Sequence, residues 1–253
     1  MLQQTQVDRV VPRWHAWLER WPTPQALASS SVADALMMWD RLGYPRRARW
    51  LWQCATIISE QHDGIVPEDE AALRALPGIG TYTAAAIRAF AFRRRAVVLD
   101  TNVRRVIARH WLGQDRPTPQ PTSAERAFAA ALWPANEPQA ARWSAAVMEL
   151  GALICTARDP RCAQCPIAAT CAWRAAGYPQ TSIPRRTQAP YEGSDRQARG
   201  SILGALRQAD QSLAQLAGVL PDRVRLHRII DGLTADGLIE KRRGRFRLGS
   251  TDN

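Results

Sequence analysis

Four of the five cysteines fall within 17 residues, in the order Cys155-x6-Cys162-x2-Cys165-x5-Cys171. Four thiolates at such spacing can wrap one tetrahedral zinc ion or one cubane of iron and sulfide. Spacing alone leaves both open, although zinc sites more often show two separated C-x2-C pairs. A loop this short cannot fold around a core of its own, so the metal would hold it. Arg158 and Arg161 add positive charge to its first arm, while Cys54 stands alone on a helical face and reads as a packed core thiol.

Three further segments carry possible chemistry. In Leu76-Pro-Gly-Ile-Gly-Thr-Tyr-Thr-Ala an apolar helix end runs through a tight turn at Gly78 and Gly80 into a new helix, a helix–hairpin–helix pattern. Glycine lets backbone approach a phosphate, and the N–H groups at the following helix start bind it without reading sequence. An ordinary corner between helices would look the same. In Val98-Leu-Asp-Thr-Asn-Val, Asp100 reads on its own as an N-cap for the helix holding Arg104, Arg105 and Arg109, but it follows Gly80 by 20 residues, which favours a functional role. In Leu42-Gly-Tyr-Pro-Arg-Arg-Ala-Arg, an aromatic after glycine precedes Arg46, Arg47 and Arg49. That suits a loop that wedges into a base stack while arginines take phosphates, or equally a solvated helix start.

The elements that must position these residues are helices. Val7, Val10, Val11, Trp14 and Leu18 fall at helical spacing until Trp21-Pro-Thr-Pro breaks the run. Ser29 to Ser31 offer an N-cap for a helix through Trp39, Arg46 to Ser59 is amphipathic, and Pro67-Glu-Asp-Glu opens the next helix with acids in its first turn. Ala84 to Phe92 is nearly all small or apolar and is expected to be buried; Glu125–Leu132 and Ala140–Ile154 are helical again. Strand signal is minimal, so residues 1–178 are expected to form an all-α domain whose metal loop spans 155–171. Residues 179–195 read as a linker and 196–253 as a small winged-helix-like domain, with helices followed by a basic hairpin around Arg243-Gly244. That small domain either contacts DNA or mediates packing.

The chain has 253 residues and a formal net charge of +11, and Lys241 is its single lysine. Its 46% hydrophobic and 23% charged content excludes a disordered or collagen-like chain. No apolar run is long enough to span a membrane, and no signal peptide opens the sequence, so a cytoplasmic address and no membrane partner are expected. Such a positive excess points first to nucleic acid.

Taken together, the motifs resemble those of the A/G-specific adenine DNA glycosylases, the MutY family of the helix–hairpin–helix, endonuclease III superfamily with an iron–sulfur loop. The likeness spans residues 1 to about 178 and rests on Met1-Leu-Gln-Gln-Thr-Gln-Val, Leu42-Gly-Tyr, Leu76-Pro-Gly-Ile-Gly, Val98-Leu-Asp-Thr-Asn-Val and the four cysteines. The resemblance implies a [4Fe-4S] cluster on Cys155, Cys162, Cys165 and Cys171. It implies a monomeric, nucleoid-associated enzyme that acts on double-stranded DNA with A·8-oxoguanine or A·G mispairs, flipping the adenine out and hydrolysing its N-glycosidic bond. The transition state of such cleavage is oxocarbenium-like and needs a carboxylate near the developing cation. By the resemblance Asp100 is that carboxylate, and Tyr82 and Asn102 support it. Gln4, Thr5, Leu42 and Tyr44 match positions lining the opened duplex near the oxidised guanine, and by the chemistry of the residues themselves Arg46, Gly78 and Gly80 join them as contacts to its backbone. Relatives with strand-cleaving activity place a lysine where this chain has Tyr82, so a monofunctional glycosylase is expected.

Two departures modify that expectation. In the family the general-acid glutamate lies two residues before the Met-Leu-Gln-Gln-Thr segment, a place that precedes Met1. The expectation is a true start upstream of Met1, because every later motif is intact; a polypeptide made as written is expected to bind DNA but hardly excise adenine. The 58 residues after Asp195 are too few and too helical for the Nudix-like domain of many family members, so lesion recognition is expected to rest more on the first domain. The competing readings are a thymine mismatch glycosylase and a non-catalytic DNA-binding protein with a zinc-filled loop. His15, His62, His110 and His227 show no metal or triad spacing and read as structural.

Overall fold

The structure is a computed structural model and describes residues 1–181 and 190–249; residues 182–189 of the expected linker lie outside the described residues. The described chain is helical apart from one small sheet, and its contacts divide it into two compact units. The first comprises Met1–Pro67, Leu76–Gly78 and Gln188–Asn253, the second Glu68–Ala75 and Ile79–Thr187.

The first unit opens with α1 (Val7–Arg20), α2 (Pro24–Ala28), α3 (Val32–Trp39) and α4 (Arg46–Gln61). The Trp21-Pro-Thr-Pro stretch ends α1 as expected but also starts α2, because Thr23 caps it and Pro24 suits a first helical position. Ser31 caps α3 in a reciprocal capping box with Asp34. On α1 the buried residues are Val10 and Trp17, whereas Val7, Val11, Trp14 and Leu18 are exposed. Trp17 stacks edge-on against Trp21 at 4.7 Å and Trp39 at 6.0 Å.

The C-terminal residues of this unit follow after the second unit's helices α5 (Glu70–Ala75), α6 (Thr81–Phe90), α7 (Thr101–His110), α8 (Ser123–Leu132), α9 (Glu137–Leu153) and α10 (Ala172–Ala175). They run α11 (Asp195–Gln208), β1 (Gln211–Ser212), α12 (Leu213–Val219), α13 (Arg223–Ala235), β2 (Ile239–Arg242) and β3 (Arg245–Leu248). The sheet is antiparallel in the order β1-β3-β2, with Arg242 opposite Arg245 across a two-residue turn. This is winged-helix topology. Its core does not stand apart: Ile202, Leu203, Leu216, Leu226, Leu233 and Leu238 join Trp17, Leu36 and Trp39 in one buried cluster. Arg207 of α11 donates to the carbonyls of Leu36 and Asp40 at 3.3 and 2.8 Å, tying α11 to the end of α3.

In the second unit α7 packs along α9, where Val103, Val106 and Ile107 meet Trp133, Ala140 and Val147. Ala85 and Ala89 of α6 pack with Ala96 and Val98. The expected burial of Ala84–Phe92 holds for Ala84, Ala85 and Ala89 only; Phe90 and Ala91 are exposed because α6 presents one face to the unit's interior and the helix ends at its surface. Helix α7 also buries Arg104, Arg105 and Arg109, and each is paired. Arg104 grips Glu125 with two hydrogen bonds, 2.6 and 2.7 Å, and donates to the Thr118 carbonyl at 2.9 Å. A buried cation is tolerable only when so satisfied.

Candidate functional site

In the second unit, Asp100 occupies the N-cap of α7. Its Oδ1 accepts from the Val103 backbone N–H at 2.7 Å, and its Oδ2 accepts from Asn102 Nδ2 at 3.0 Å. The cap reading and the catalytic reading of Asp100 therefore coexist, since both oxygens are held by donors and the carboxylate is fixed in place. Tyr82, in the first turn of α6, is 41% exposed. Burial of its hydroxyl and then the Asp100 charge push its pKa up, so the phenol keeps its proton near this carboxylate.

Behind Asp100 runs a connected set of polar groups. Asn102 Oδ1 accepts from Arg105 Nη2 at 2.9 Å, and Arg105 also donates to the carbonyls of Gly151 at 2.5 Å and Cys155 at 2.6 Å. One turn later Arg109 donates to Cys155 Sγ at 3.4 Å and to the Thr156 and Asp115 carbonyls, both at 2.8 Å, with the Trp173 ring 4.5 Å from its guanidinium. So α7 carries the carboxylate at its start and cysteine-loop contacts along its length. Gly151 is required here: a Cβ on it would lie 2.8 Å from the Asn102 Cβ and backbone oxygen. Arg105 and Gly151 are missed by sequence reasoning; the available signal is a lone glycine inside the apolar run of α9.

Cys155, Cys162, Cys165 and Cys171 are free thiols that line one concavity with Arg109 and Trp173. Two 3-10 turns, Cys162–Gln164 and Ala168–Thr170, fold the loop back so that widely spaced residues face the same space. Among the described residues no three His, Cys, Asp or Glu side chains are grouped so as to hold a single metal ion. The donor set is nonetheless all-thiolate, and it faces one hollow.

In the first unit the remaining expected residues gather around Arg47, a buried guanidinium of α4. It donates to the Met1 carbonyl at 2.9 Å, the Gln3 carbonyl, Thr5 Oγ1 at 2.8 Å, and the Leu42 and Gly43 carbonyls at 3.3 and 3.1 Å. Thr5 Oγ1 in turn donates to the Leu42 carbonyl at 3.3 Å. This brings the Gln4–Thr5 segment and the Leu42–Tyr44 loop together. The loop side chains part: Leu42 is buried in the unit's core, whereas Tyr44 is exposed at φ 48°, next to Gly43 at φ 80°. Leu42 thus anchors the loop from below and Tyr44 stands outside it, its ring 5.4 Å from the Arg47 guanidinium, because the glycine reverses the chain between them. Gln4 is also exposed at a positive φ, 57°. Arg46 is exposed but pairs with Asp236 at 3.2 Å.

The hairpin glycines differ in role. Gly78, in the first unit, adopts φ 73°, and a Cβ on it would meet the Trp50 ring at 2.7 Å. Gly80, in the second, is the extended N-cap of α6; nothing stands near its missing Cβ, and α6 has no side-chain cap and no acid in its first turn. That leaves an open helix start suited to an anion. Cys54 is buried, donates to the Pro77 carbonyl, and has its thiol pushed up to about 11 by burial, in line with a core role.

The family profile described as HhH-GPD superfamily base excision DNA repair protein matches residues 1–131. An adenine DNA glycosylase from Mycobacterium tuberculosis is 46% identical over 252 residues, covering 98% of this chain and 82% of that protein. A solved thermostable thymine-DNA glycosylase superposes with a TM-score of 0.61 at 24% identity over 69% of this chain and 80% of its own. A trapped endonuclease III–DNA covalent intermediate does so with a TM-score of 0.60 at 22% identity over 70% and 81%. Identities this low speak to the fold, whereas the chain-long 46% identity speaks to the family. The chain belongs to the HhH-GPD superfamily of base excision DNA repair proteins, within its adenine DNA glycosylase family.

Proposed function

We propose that this chain removes adenine mispaired with 8-oxoguanine or guanine from duplex DNA by hydrolysing its N-glycosidic bond, as a monofunctional enzyme. The observation that carries the reading is 46% identity along 98% of the chain to an adenine DNA glycosylase. The chemistry of the second unit supports it. Asp100 is a donor-held carboxylate, suited to stabilise an oxocarbenium-like sugar once the base begins to leave. Tyr82 supplies a neutral phenol and Asn102 fixes one carboxylate oxygen. No lysine stands in α6 or α7, and Lys241 lies on β2, so no amine is offered for attack on the sugar. Gln4, Thr5 and Tyr44 would face the opened duplex, with the amides around Gly78 and Gly80 on the phosphates.

Cys155, Cys162, Cys165 and Cys171 would hold the [4Fe-4S] cluster. The all-thiolate donor set fits it, and the four cysteines line one hollow. When bound, the cluster supplies four iron–thiolate bonds that close the loop. Arg105 and Arg109 then link the loop backbone to the helix that begins at Asp100.

The test is single-turnover base release from duplexes containing A·8-oxoguanine, A·G, T·G or only matched pairs. It is run with the 253-residue chain and with the chain extended at its N-terminus by a Glu-Ile pair. Adenine release by the extended chain that Asp100→Asn abolishes, with no borohydride-trapped adduct, is the expected result; thymine release or an adduct overturns it. A brown protein with broad visible absorbance is expected, and a colourless zinc protein would replace the cluster assignment.

A further inference from the structure

The winged-helix fold contains a feature that packing does not explain. The two central residues of the β2–β3 turn, Arg243 and Gly244, both have positive φ, 50° and 77°. This two-residue loop is of type I′, for which Asn-Gly is the favoured pair and a long side chain at the first position is strained. Arginine holds that position instead. Its side chain is exposed, as is that of Arg242, and neither has a hydrogen-bond or ion-pair partner among the described residues. Lys241 is exposed on the same hairpin. Arg245 and Arg247, by contrast, are engaged, Arg245 with Gln215 and the Asp210 carbonyl and Arg247 with Glu240. The free guanidiniums, Arg242 and Arg243, thus sit at the tip, where no described residue pairs with them, while the Lys241 ammonium lies 5.6 Å from the Phe246 ring.

The base of the hairpin is fixed just as firmly. Asp236, at the end of α13, accepts from Arg199 and pairs with Arg46 at 3.2 Å, while its carbonyl accepts from Arg49 Nη1 at 2.7 Å. A Cβ on Gly237 would lie 2.5 Å from the Arg49 guanidinium carbon, so α4 presses on the chain where the hairpin leaves α13. Arg46 directly follows the Tyr44-Pro45 loop. The four-residue strand β2 carries the tip roughly 13 Å onward at about 3.3 Å per residue.

We propose that the β2–β3 hairpin is a second DNA contact, in which Lys241, Arg242 and Arg243 grip the phosphate backbone of the duplex. This rests on duplex DNA being the substrate and adds a site outside the catalytic unit. Charge complementarity selects the partner: two unpaired guanidiniums on a strained tip, with the Lys241 ammonium beside them over the Phe246 ring, suit a polyanion and read no bases. The contact lengthens the footprint of an enzyme that must find rare mispairs among matched DNA.

Binding of a 40-base-pair matched duplex by fluorescence anisotropy between 50 and 300 mM salt tests this, alongside thermal unfolding. Matched DNA separates this result from adenine chemistry, because it requires no excision. Arg243→Asn is expected to keep or raise the melting temperature, since asparagine suits the turn, yet to lower the salt slope by about one; adding Arg242→Ala is expected to lower it by about two, with affinity at 50 mM salt falling about tenfold or more. Arg243→Lys is expected to retain the slope. Adenine release at saturating enzyme stays at the parent rate in these variants. An unchanged slope and affinity in the double variant overturns the proposal, whether or not the parent chain excises adenine.

Discussion

Arg105 donates from Nη2 to Asn102 Oδ1 at 2.9 Å, while Asn102 donates from Nδ2 to the Asp100 carboxylate at 3.0 Å. A single amide thus joins the acidic residue to an arginine that also binds the carbonyls of Gly151 and Cys155. The carboxylate is braced from the four-cysteine segment. Arg105→Gln leaves buried carbonyls without a donor and is expected to cost about 2–3 kcal/mol of stability. It is also expected to lower single-turnover adenine release by at least about tenfold, because a displaced Asn102 no longer fixes Asp100. Urea denaturation and base release, measured on the same preparation, check both. Parent-like release in a destabilised variant would reduce Arg105 to a structural role.

Gly151 allows α9 to touch the backbone of α7 at Asn102. Gly151→Ala places a methyl where 2.8 Å separates it from Asn102, so a helix must shift. The expected outcome is a loss of about 1–3 kcal/mol and slower adenine release. Gly204→Ala, in the interior of α11 where no atom stands within 4 Å of the new methyl, is expected to raise stability by about 0.5–1 kcal/mol and to leave release at the parent rate. Denaturation midpoints and release rates of the two variants make the comparison.

Arg47 organises the segments expected to face the opened duplex. Arg47→Ala removes donors from four carbonyls and the Thr5 hydroxyl, with an expected cost of about 2–4 kcal/mol. Arg47→Lys is expected to recover only part, because an ammonium cannot reproduce the planar fork. The ratio of affinities for an A·8-oxoguanine duplex and a matched duplex is expected to fall in both variants, as the Tyr44 loop loosens. Equilibrium binding to the two duplexes measures this.

Cys54 gives a pH signature. Its thiol is pushed up to about 11 from an ordinary value of 9.0, so the fold favours the neutral form. The resulting stability is fully present below pH 9 and is lost as pH rises toward 11, because the unfolded chain releases its proton first. The slope from this group is at most about 1.4 kcal/mol per pH unit. Denaturation between pH 8 and 11 is expected to show this component in the parent chain and not in Cys54→Ala. Cys54 is also expected to resist iodoacetamide at pH 8 in the folded protein.

Local pattern made much of this legible. The apolar periodicity of α4, the cap residues Ser31 and Asp100, the glycines of the hairpin turn and the alternation around Arg243-Gly244 all reappear as the elements they announce. The prolines of Trp21-Pro-Thr-Pro read as breakers, yet Pro24 at a first helical position starts α2 as well as a proline stops a helix. Leu42 and Tyr44 both match, by the resemblance, positions lining the opened duplex. Only the turn at Gly43, which sends one inward and the other outward, distinguishes them.

The amino-acid order by itself determined the helical class, the four-thiol loop, the hairpin and Asp100, because each is specified by residue type at short range. Long-range contacts decided the rest. The arginines of α7 look like surface charge until Glu125, Gly151 and the Cys155 carbonyl meet them. The C-terminal fold looks independent until its leucines share a core with Trp17 and Leu36. Guanidiniums and apolar faces carry no mark of their partners in one-dimensional spacing. Which of them are buried together depends on how the chain returns upon itself, and only the tertiary structure settles that.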